Sequence, residues 1–220
     1  MVGPITIRDS GDTIDLRRMG SGGWAVPSIV EGNLIQLGLH EARYVLLIEK
    51  DAVWSRFNED KYWKRERCII LQGGGQPPRG VRRLVQRLHR ELGLPVYVLV
   101  DNDPWGFYIY SVVKQGSINL AYESMRMAVP DARFIGLSSF DKGLYQLPQN
   151  VAIKMDDGDV ARARQMLAYP WFQAKQWQDE IQEMVRSGVK FELEALSRRG
   201  ISFITEEYLP RKLKDKDWLA

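Results

Sequence analysis

The sequence predicts an α/β fold in which a mainly parallel sheet is flanked by helices. Residues 44–48 and 96–100 are continuous apolar runs, as expected of strands that are covered on both faces. Stretches with helical spacing separate these runs, and that alternation is typical of parallel sheets. The length of 220 residues, of which 45% are hydrophobic, is enough for one substantial core with an appended piece.

The predicted elements follow one another from about residue 42. Strands are predicted at 44–48, 68–71, 96–100, 132–137 and 151–154. Helices are predicted at 51–65, 81–92, 107–114, 159–167, 171–187 and 190–199. Residues before this region are rich in Gly, Asp and β-branched residues and predict an irregular β arm. We therefore expect a β-rich arm at 1–40, an α/β core at 41–157 and a helical C-terminal part of the same domain at 158–220.

Composition excludes several classes of site. The net charge is only +3, so any nucleic-acid contact has to come from local clusters of basic residues. The single cysteine, Cys68, excludes an intramolecular disulfide and a cysteine-based zinc site, and its apolar neighbours predict a buried strand thiol. No apolar stretch approaches the ~20 residues needed to span a bilayer, and no signal peptide opens the chain. These features predict a cytoplasmic protein.

Three carboxylates stand directly after two predicted strands. Glu49 follows the strand at 44–48, and Asp101 and Asp103 follow the strand at 96–100. In open parallel sheets, ligands bind beyond the carboxyl ends of the strands. Mg²⁺ prefers hard oxygen ligands and is often bound by a few carboxylates together with substrate phosphate. The pattern therefore predicts a Mg²⁺ site that a substrate phosphate would complete.

A structural explanation of the same residues has to be weighed. Asp-x-Asp is common in turns, where aspartate accepts from backbone donors and caps the following helix. Glu49 favours the functional interpretation, because glutamate is a poor turn residue and sits at an equivalent strand end.

At these residues the sequence resembles the Toprim domain, a Rossmann-like fold shared by topoisomerases, bacterial primases and related nucleases. The signature of that domain is a glutamate after one strand and Asp-x-Asp after a later one. A more specific resemblance is to the A subunit of type IIB DNA topoisomerase VI in its archaeal form, and it covers essentially the whole chain. The matching segments are Glu-Lys-Asp-Ala at 49–52, Gly-Gly-Gly-Gln-Pro at 73–77, Asp-Asn-Asp-Pro-Trp-Gly at 101–106, Tyr-Ile-Tyr-Ser at 108–111, and the segments 132–139 and 203–210.

The resemblance implies a function for the carboxylates. Asp101 and Asp103 would be Mg²⁺ ligands, and Glu49 would be a ligand or a general acid/base, so that all three count as catalytic. The family cleaves double-stranded DNA transiently and passes a second duplex through the break, which gives relaxation and decatenation. It works as a homodimer of A subunits in a heterotetramer with an ATP-binding B subunit. The glycine-rich loop here lacks the Gly-Lys-Ser/Thr ending of a phosphate-binding loop, consistent with ATP being bound elsewhere.

One family feature is missing from the sequence. The complete A subunit begins with a winged-helix domain whose tyrosine attacks DNA, and none of the nine tyrosines here lies in that motif. We therefore expect this chain to be the Toprim half alone and to be inactive in cleavage by itself.

Basic residues near the predicted site are candidates for DNA contacts. They are Lys50, Arg79, Arg83, Arg87 and Arg90, of which the last three share one face of the predicted helix. The alternative is a solvated helix side. Two further stretches are expected to be structural. Trp171, Phe172 and Trp177 have the spacing of core or subunit-interface residues, and the basic tail at 211–216 is most simply a solvated end.

Other functions are compatible with parts of the pattern. A stand-alone Mg²⁺-dependent Toprim nuclease would cut DNA without an added tyrosine domain. A haloacid-dehalogenase-like phosphatase is disfavoured because Pro104 follows Asp103, and a glycosyltransferase would leave Glu49 unexplained. A non-catalytic DNA-binding or dimerisation module would keep the fold but bind no metal.

Overall fold

The structure, a computed structural model, describes residues 1–116 and 121–220, and only the backbone of residues 121–123. The chain divides into two units, which are described separately. The first unit comprises Met1–Val98 and Val112–Arg133, and the second comprises Leu99–Ser111 and Phe134–Ala220.

An antiparallel sheet of three strands opens the first unit. Its strands are β1 (Ile5–Asp9), β2 (Asp12–Asp15) and β3 (Ile35–His40), in the order β2-β1-β3. The side chains of Ile5, Ile7 and Ile35 are buried. The predicted N-terminal β arm is therefore confirmed, and its alternating isoleucines are what hold it to the core.

A parallel sheet of four strands is the centre of the fold. Its strands are β4 (Tyr44–Ile48), β5 (Cys68–Gln72), β6 (Val96–Leu99) and β7 (Arg133–Phe134). Their order is β5-β4-β6-β7, and β4 pairs with β5 in parallel from Tyr44 opposite Cys68 to Ile48 opposite Gln72. Every residue of β4 and β6 is buried, as is the thiol of Cys68. The predicted α/β class and the continuous apolar strands are confirmed.

The helices up to residue 127 follow the predicted alternation. They are α1 (Asp51–Glu59), α2 (Tyr62–Arg65), α3 (Arg79–Leu92), α4 (Pro104–Gln115) and α5 (Ala121–Met127). The prediction of a single helix over 51–65 is wrong, because the helix is interrupted between α1 and α2. Lys61 has a φ of 51°, and a left-handed residue ends an α-helix.

The second unit contains four more helices and a small antiparallel ribbon. These elements are α6 (Asp141–Leu144), β8 (Ile153–Lys154), α7 (Asp157–Met166), α8 (Lys175–Ser187), β9 (Val189–Lys190) and α9 (Leu209–Asp215). Trp177 is fully buried and its ring contacts Phe107, Tyr110, Phe134 and Phe172. The prediction that Phe172 and Trp177 are core residues is confirmed.

Several predicted bounds in this unit are wrong. The strand over 132–137 is limited to β7, whose last residue, Phe134, also exchanges two backbone hydrogen bonds with Leu219. The helix over 190–199 is replaced by β9 and a 3₁₀ helix at Leu193–Arg199. Phe191 lies between them in extended pairing with Asn102, so an α-helix is excluded there. The strand over 151–154 shortens to β8, and the helix over 171–187 begins only at Lys175.

In the part of the chain that the structure describes, no helix is both long enough and apolar enough to cross a membrane.

Candidate metal centre

The Asp-x-Asp motif forms a turn that directly follows β6 and is fixed by the segment after β9. The backbone of Asn102 donates to Phe191 O at 2.9 Å and accepts from Phe191 N at 2.9 Å. Asp101 is 4% exposed, and its Oδ1 accepts from the backbone N–H of Leu193 at 2.7 Å. Because a buried carboxylate is costly without partners, this bond both stabilises and orients Asp101.

Asp103 is half-buried at the start of α4. Its Oδ1 accepts from the backbone N–H of Gly106 at 2.5 Å, which satisfies one of the unpaired donors at the start of the helix. A Cβ on Gly106 would lie 2.5 Å from the carbonyl oxygen of Asp101 and 3.2 Å from Oδ1 of Asp103. The capping role weighed from the sequence is therefore present.

The side chain of Asn102, between the two aspartates, contacts a buried acid. Its Nδ2 donates to Oε1 of Glu180 at 3.0 Å, and Glu180 is 2% exposed. The sequence analysis missed Glu180. A signal was present, because Glu180 lies within the helical spacing of the buried residues Trp177, Ile181 and Met184, where an acid is unusual.

Lys190 is a basic residue of this unit that is influenced by the charge of the motif. Its Nζ contacts Oδ2 of Asp159 at 2.7 Å. That hydrogen bond raises the pKa of Lys190, and the charges of Asp159 and Asp103 act in the same direction. Glu192 and Glu194 are exposed, as expected of a surface charge pattern.

Glu49 lies in the first unit, directly after β4, and is 8% exposed. Its carbonyl oxygen accepts from Gly75 N at 3.1 Å, and Ile48 O accepts from Gly73 N at 2.7 Å. Gly74 and Gly75 have φ values of 65° and 80°, which favour glycine. The glycine-rich loop is therefore a turn that closes over the end of β4.

The donor chemistry of these residues fits Mg²⁺. Asp101 and Asp103 place two carboxylates on one anchored turn, and Mg²⁺ commonly takes one or two carboxylates with the remaining positions filled by water and phosphate. Across the described residues, 1–116 and 121–220, no three His, Cys, Asp or Glu side chains form a group that could hold a metal ion. Glu49 belongs to the first unit and the aspartates to the second, so the meeting of all three stays a prediction.

Two of the arginines considered for DNA are engaged within the first unit. Arg87 has a side chain only 4% exposed, and its guanidinium donates to Val30 O at 2.6 Å, Ile35 O at 2.7 Å and the carboxylate of Glu91 at 2.6 Å. Arg83 pairs with Glu31 at 2.8 Å. Both thus fasten the segment before β3 onto α3.

The other three basic residues differ in their exposure. Arg90 is exposed, whereas Arg79 and Lys50 are half-buried, with Arg79 near the charge of Glu31. The assignment of all five basic residues to DNA stays a prediction.

The C-terminal basic tail at 211–216 is largely exposed, as predicted for a solvated end, except at Lys212. Residues 209–215 form α9, and Lys212 is 3% exposed. Its Nζ lies 3.1 Å from Oδ2 of Asp141, which also accepts from the hydroxyl of Tyr208 at 2.7 Å. A cation buried on a carboxylate explains why this part of the tail is ordered on the core.

Comparison with known proteins places these features in a family. The Toprim domain family of the topoisomerase 6 A subunit/Spo11 matches residues 44–213. The chain is 44% identical over 228 residues to the A subunit of type 2 DNA topoisomerase 6 from Hyperthermus butylicus, covering 100% of this chain and 58% of that protein. It is 44% identical over 223 residues to the protein of the same name from Pyrococcus horikoshii, covering 97% of this chain and 58% of that protein.

A plant relative extends the similarity beyond archaea. The A subunit of DNA topoisomerase 6 from Arabidopsis thaliana is 36% identical over 222 residues, with 100% of this chain and 51% of that protein covered. The chain thus spans a little over half the length of the curated relatives that it matches. The chain belongs to the Toprim domain family of Spo11 and the topoisomerase 6 A subunit.

Proposed function

We propose that this chain is the Mg²⁺-binding catalytic module of the A subunit of topoisomerase VI. In that role it supports transient double-strand cleavage of DNA and strand passage, with the nucleophilic tyrosine supplied from outside these 220 residues. The observation that supports this most is the anchored Asp101-Asn102-Asp103 turn at the end of a parallel strand, in a chain whose family is that of the topoisomerase 6 A subunit.

Asp101 and Asp103 are the proposed metal ligands, and Glu49 is proposed to join them from the end of the neighbouring strand in the sheet. When bound, Mg²⁺ stabilises negative charge on the oxygens of the scissile phosphodiester. The two aspartates hold their orientation through the Leu193 and Gly106 amides, so little reorganisation is needed on binding. Glu49 acts either as a further ligand or as the general acid/base that exchanges a proton with the DNA oxygen.

The proposed substrate is double-stranded DNA, held by basic residues around the site. Arg90 and Arg79 on α3 and Lys50 directly before α1 are the proposed phosphate contacts, because Arg90 is exposed and the other two are only half-buried. Arg83 and Arg87 act indirectly by holding the arm to the same helix.

The proposed assembly is a homodimer of A subunits with two B subunits. It is supported by the relatives, whose names identify them as A subunits of a type 2 topoisomerase. ATP is proposed to bind the B subunit, and the reaction cycle would couple its hydrolysis to strand passage.

The direct test uses a complete A subunit of this family that contains these residues, assembled with its B subunit. We expect the double substitution Asp101→Asn and Asp103→Asn to abolish relaxation of supercoiled DNA and formation of the covalent protein–DNA complex. Asp12→Asn, a change at the exposed first residue of β2, is the matched control and should keep both activities. Near-normal cleavage by the double variant would refute the proposal.

A second assay separates this function from a Toprim nuclease. The 220-residue chain alone is incubated with plasmid DNA and Mg²⁺. We expect no nicking. Nicking that is lost in the double variant would make the nuclease the better account.

A further inference from the structure

A buried carboxylate that accepts three hydrogen bonds contacts the middle residue of the Asp-x-Asp turn. Glu180 projects from α8 and is 2% exposed. Its Oε1 accepts from Asn102 Nδ2 at 3.0 Å and from the backbone N–H of Ser139 at 2.6 Å, and its Oε2 accepts from Ser138 Oγ at 2.6 Å. Burying an acid is unfavourable unless its oxygens are satisfied, and here three donors converge on it.

Asn102 connects this carboxylate to the two aspartates. Its backbone is paired in both directions with Phe191, and its side chain is held by Glu180 and lies 3.3 Å from Ser139 Oγ. Asp101 and Asp103 are the covalent neighbours of Asn102. A residue fixed at its backbone and its side chain therefore restrains the backbone of the turn, and with it the directions in which the side chains of Asp101 and Asp103 leave the chain.

Asp141 provides a useful comparison within the same unit. It accepts from Ser138 N at 2.9 Å, from Tyr208 OH at 2.7 Å and from Lys212 Nζ at 3.1 Å. This cluster is also buried and polar, but none of its bonds reaches Asn102. Loss of the Tyr208 hydroxyl thus disturbs the same loop without touching the Asp-x-Asp turn.

We propose that Glu180 is a positioning residue for the metal site, acting through Asn102 to hold Asp101 and Asp103 in the orientation that binds a divalent cation. This inference rests on the proposed function of the two aspartates. Glu180 itself does not touch the cation.

Three variants separate the charge of Glu180 from its contacts. Glu180→Gln removes the charge but keeps Oε1 as the acceptor for Asn102 and Ser139. The new Nε2 group can donate to Ser138 Oγ, because a serine hydroxyl can accept as well as donate. Glu180→Ala removes all three acceptor contacts. Asn102→Ala removes the connection between Glu180 and the turn together with the contact to Ser139 Oγ, and it carries the test if Glu180→Ala fails to fold.

The first measurement is Mn²⁺ affinity of the full 220-residue chain by isothermal titration calorimetry, on protein shown to be folded. Outer-shell partners change metal affinity by about 10–100-fold, so Glu180→Ala and Asn102→Ala should each weaken binding by about tenfold or more. Glu180→Gln and the control Tyr208→Phe should stay within about threefold of the wild type. Equal affinities in all variants, or an equal loss in Tyr208→Phe, would overturn the proposal.

The second measurement needs no metal. Amide exchange of Leu193, whose N–H donates to Asp101 Oδ1, reports directly on the orientation of that carboxylate. We expect faster exchange in Glu180→Ala and Asn102→Ala, but not in Glu180→Gln or Tyr208→Phe. If the wild type binds no Mn²⁺, the proposed function fails. Faster exchange of the Leu193 amide in Glu180→Ala and Asn102→Ala alone would then still support positioning by Glu180. Exchange of that amide at the wild-type rate in all variants would overturn it.

Discussion

The Oδ1 atom of Asp101 accepts a hydrogen bond of 2.7 Å from the backbone N–H of Leu193, a residue 92 positions further along the chain. The bond brings the end of the third predicted strand together with the segment that follows β9. It uses one oxygen of a carboxylate that is almost fully buried. The orientation of a proposed ligand is thus set by the fold before any cation binds, which is the arrangement expected of a preorganised site.

Gly106 should be intolerant of a side chain. An added Cβ would lie 2.5 Å from the Asp101 carbonyl oxygen, so Gly106→Ala should lower the free energy of unfolding by about 1–3 kcal/mol. Gly143→Ala is the matched control, because a Cβ there meets nothing within 4 Å. Urea denaturation measures both. If Gly106→Ala were as stable as Gly143→Ala, the turn would relax freely around an added side chain and would not be tightly packed.

Arg87 should matter for stability. Arg87→Met leaves the carbonyl oxygens of Val30 and Ile35 without their buried donor, and we expect a loss of about 2–4 kcal/mol in unfolding free energy. Limited proteolysis should also cut the segment before β3 sooner. Arg90→Ala, at an exposed position of the same helix, should change stability by less than about 0.5 kcal/mol. A stable Arg87→Met protein would contradict the anchoring role.

Arg90 and Arg79 should matter for DNA affinity. If each contacts a phosphate, each alanine variant should bind duplex DNA more weakly and reduce the slope of log affinity against log salt by about 0.9. Fluorescence anisotropy over a series of KCl concentrations measures the slope. Lys64→Ala, an exposed lysine on α2, serves as the comparison. If neither alanine variant changed the slope, neither arginine would contact a phosphate, and α3 would have a structural role only.

The Glu31–Arg83 pair should make stability depend on acid pH. The hydrogen bond from Arg83 lowers the pKa of Glu31 from its usual value of 4.5. A depressed carboxyl pKa stabilises the folded state above the usual value, and this stabilisation is lost as pH falls through the lowered pKa. Glu31→Gln should cost about 0.5–1 kcal/mol at neutral pH and much less at acid pH, given that the pair is partly exposed. If the difference in unfolding free energy between the wild type and Glu31→Gln were the same at all pH values, the ion pair would be contradicted.

The central sheet was predictable because its strands are apolar on both faces. The bounds of β4 agree with the sequence at both ends, and those of β5 and β6 differ by one residue. The position of Asp101 and Asp103 at a strand end follows from the same pattern. Strand ends are fixed by local hydrophobicity, which a single sequence contains.

What the sequence did not predict depends on contacts between distant residues. The segment 190–199 has helical spacing, yet Phe191 is extended because its backbone pairs with Asn102, and only a 3₁₀ helix begins at Leu193, whose N–H donates to Asp101. Lys212 looks like a solvated residue until Asp141 is brought beside it. In each case a tertiary hydrogen bond or ion pair overrides the local propensity.

The most direct test of the account is thermal melting of the 220-residue chain with increasing MgCl₂ or MnCl₂, beside the Asp101→Asn/Asp103→Asn variant. A ligand at ~100 times its dissociation constant stabilises the folded state by about 2.7 kcal/mol, so even weak binding raises the melting temperature at high concentration. The account predicts a metal-dependent rise in the wild type and none in the variant. An equal response in both proteins, or no response in either, would contradict it and would make the aspartates structural residues of a DNA-binding or dimerisation module.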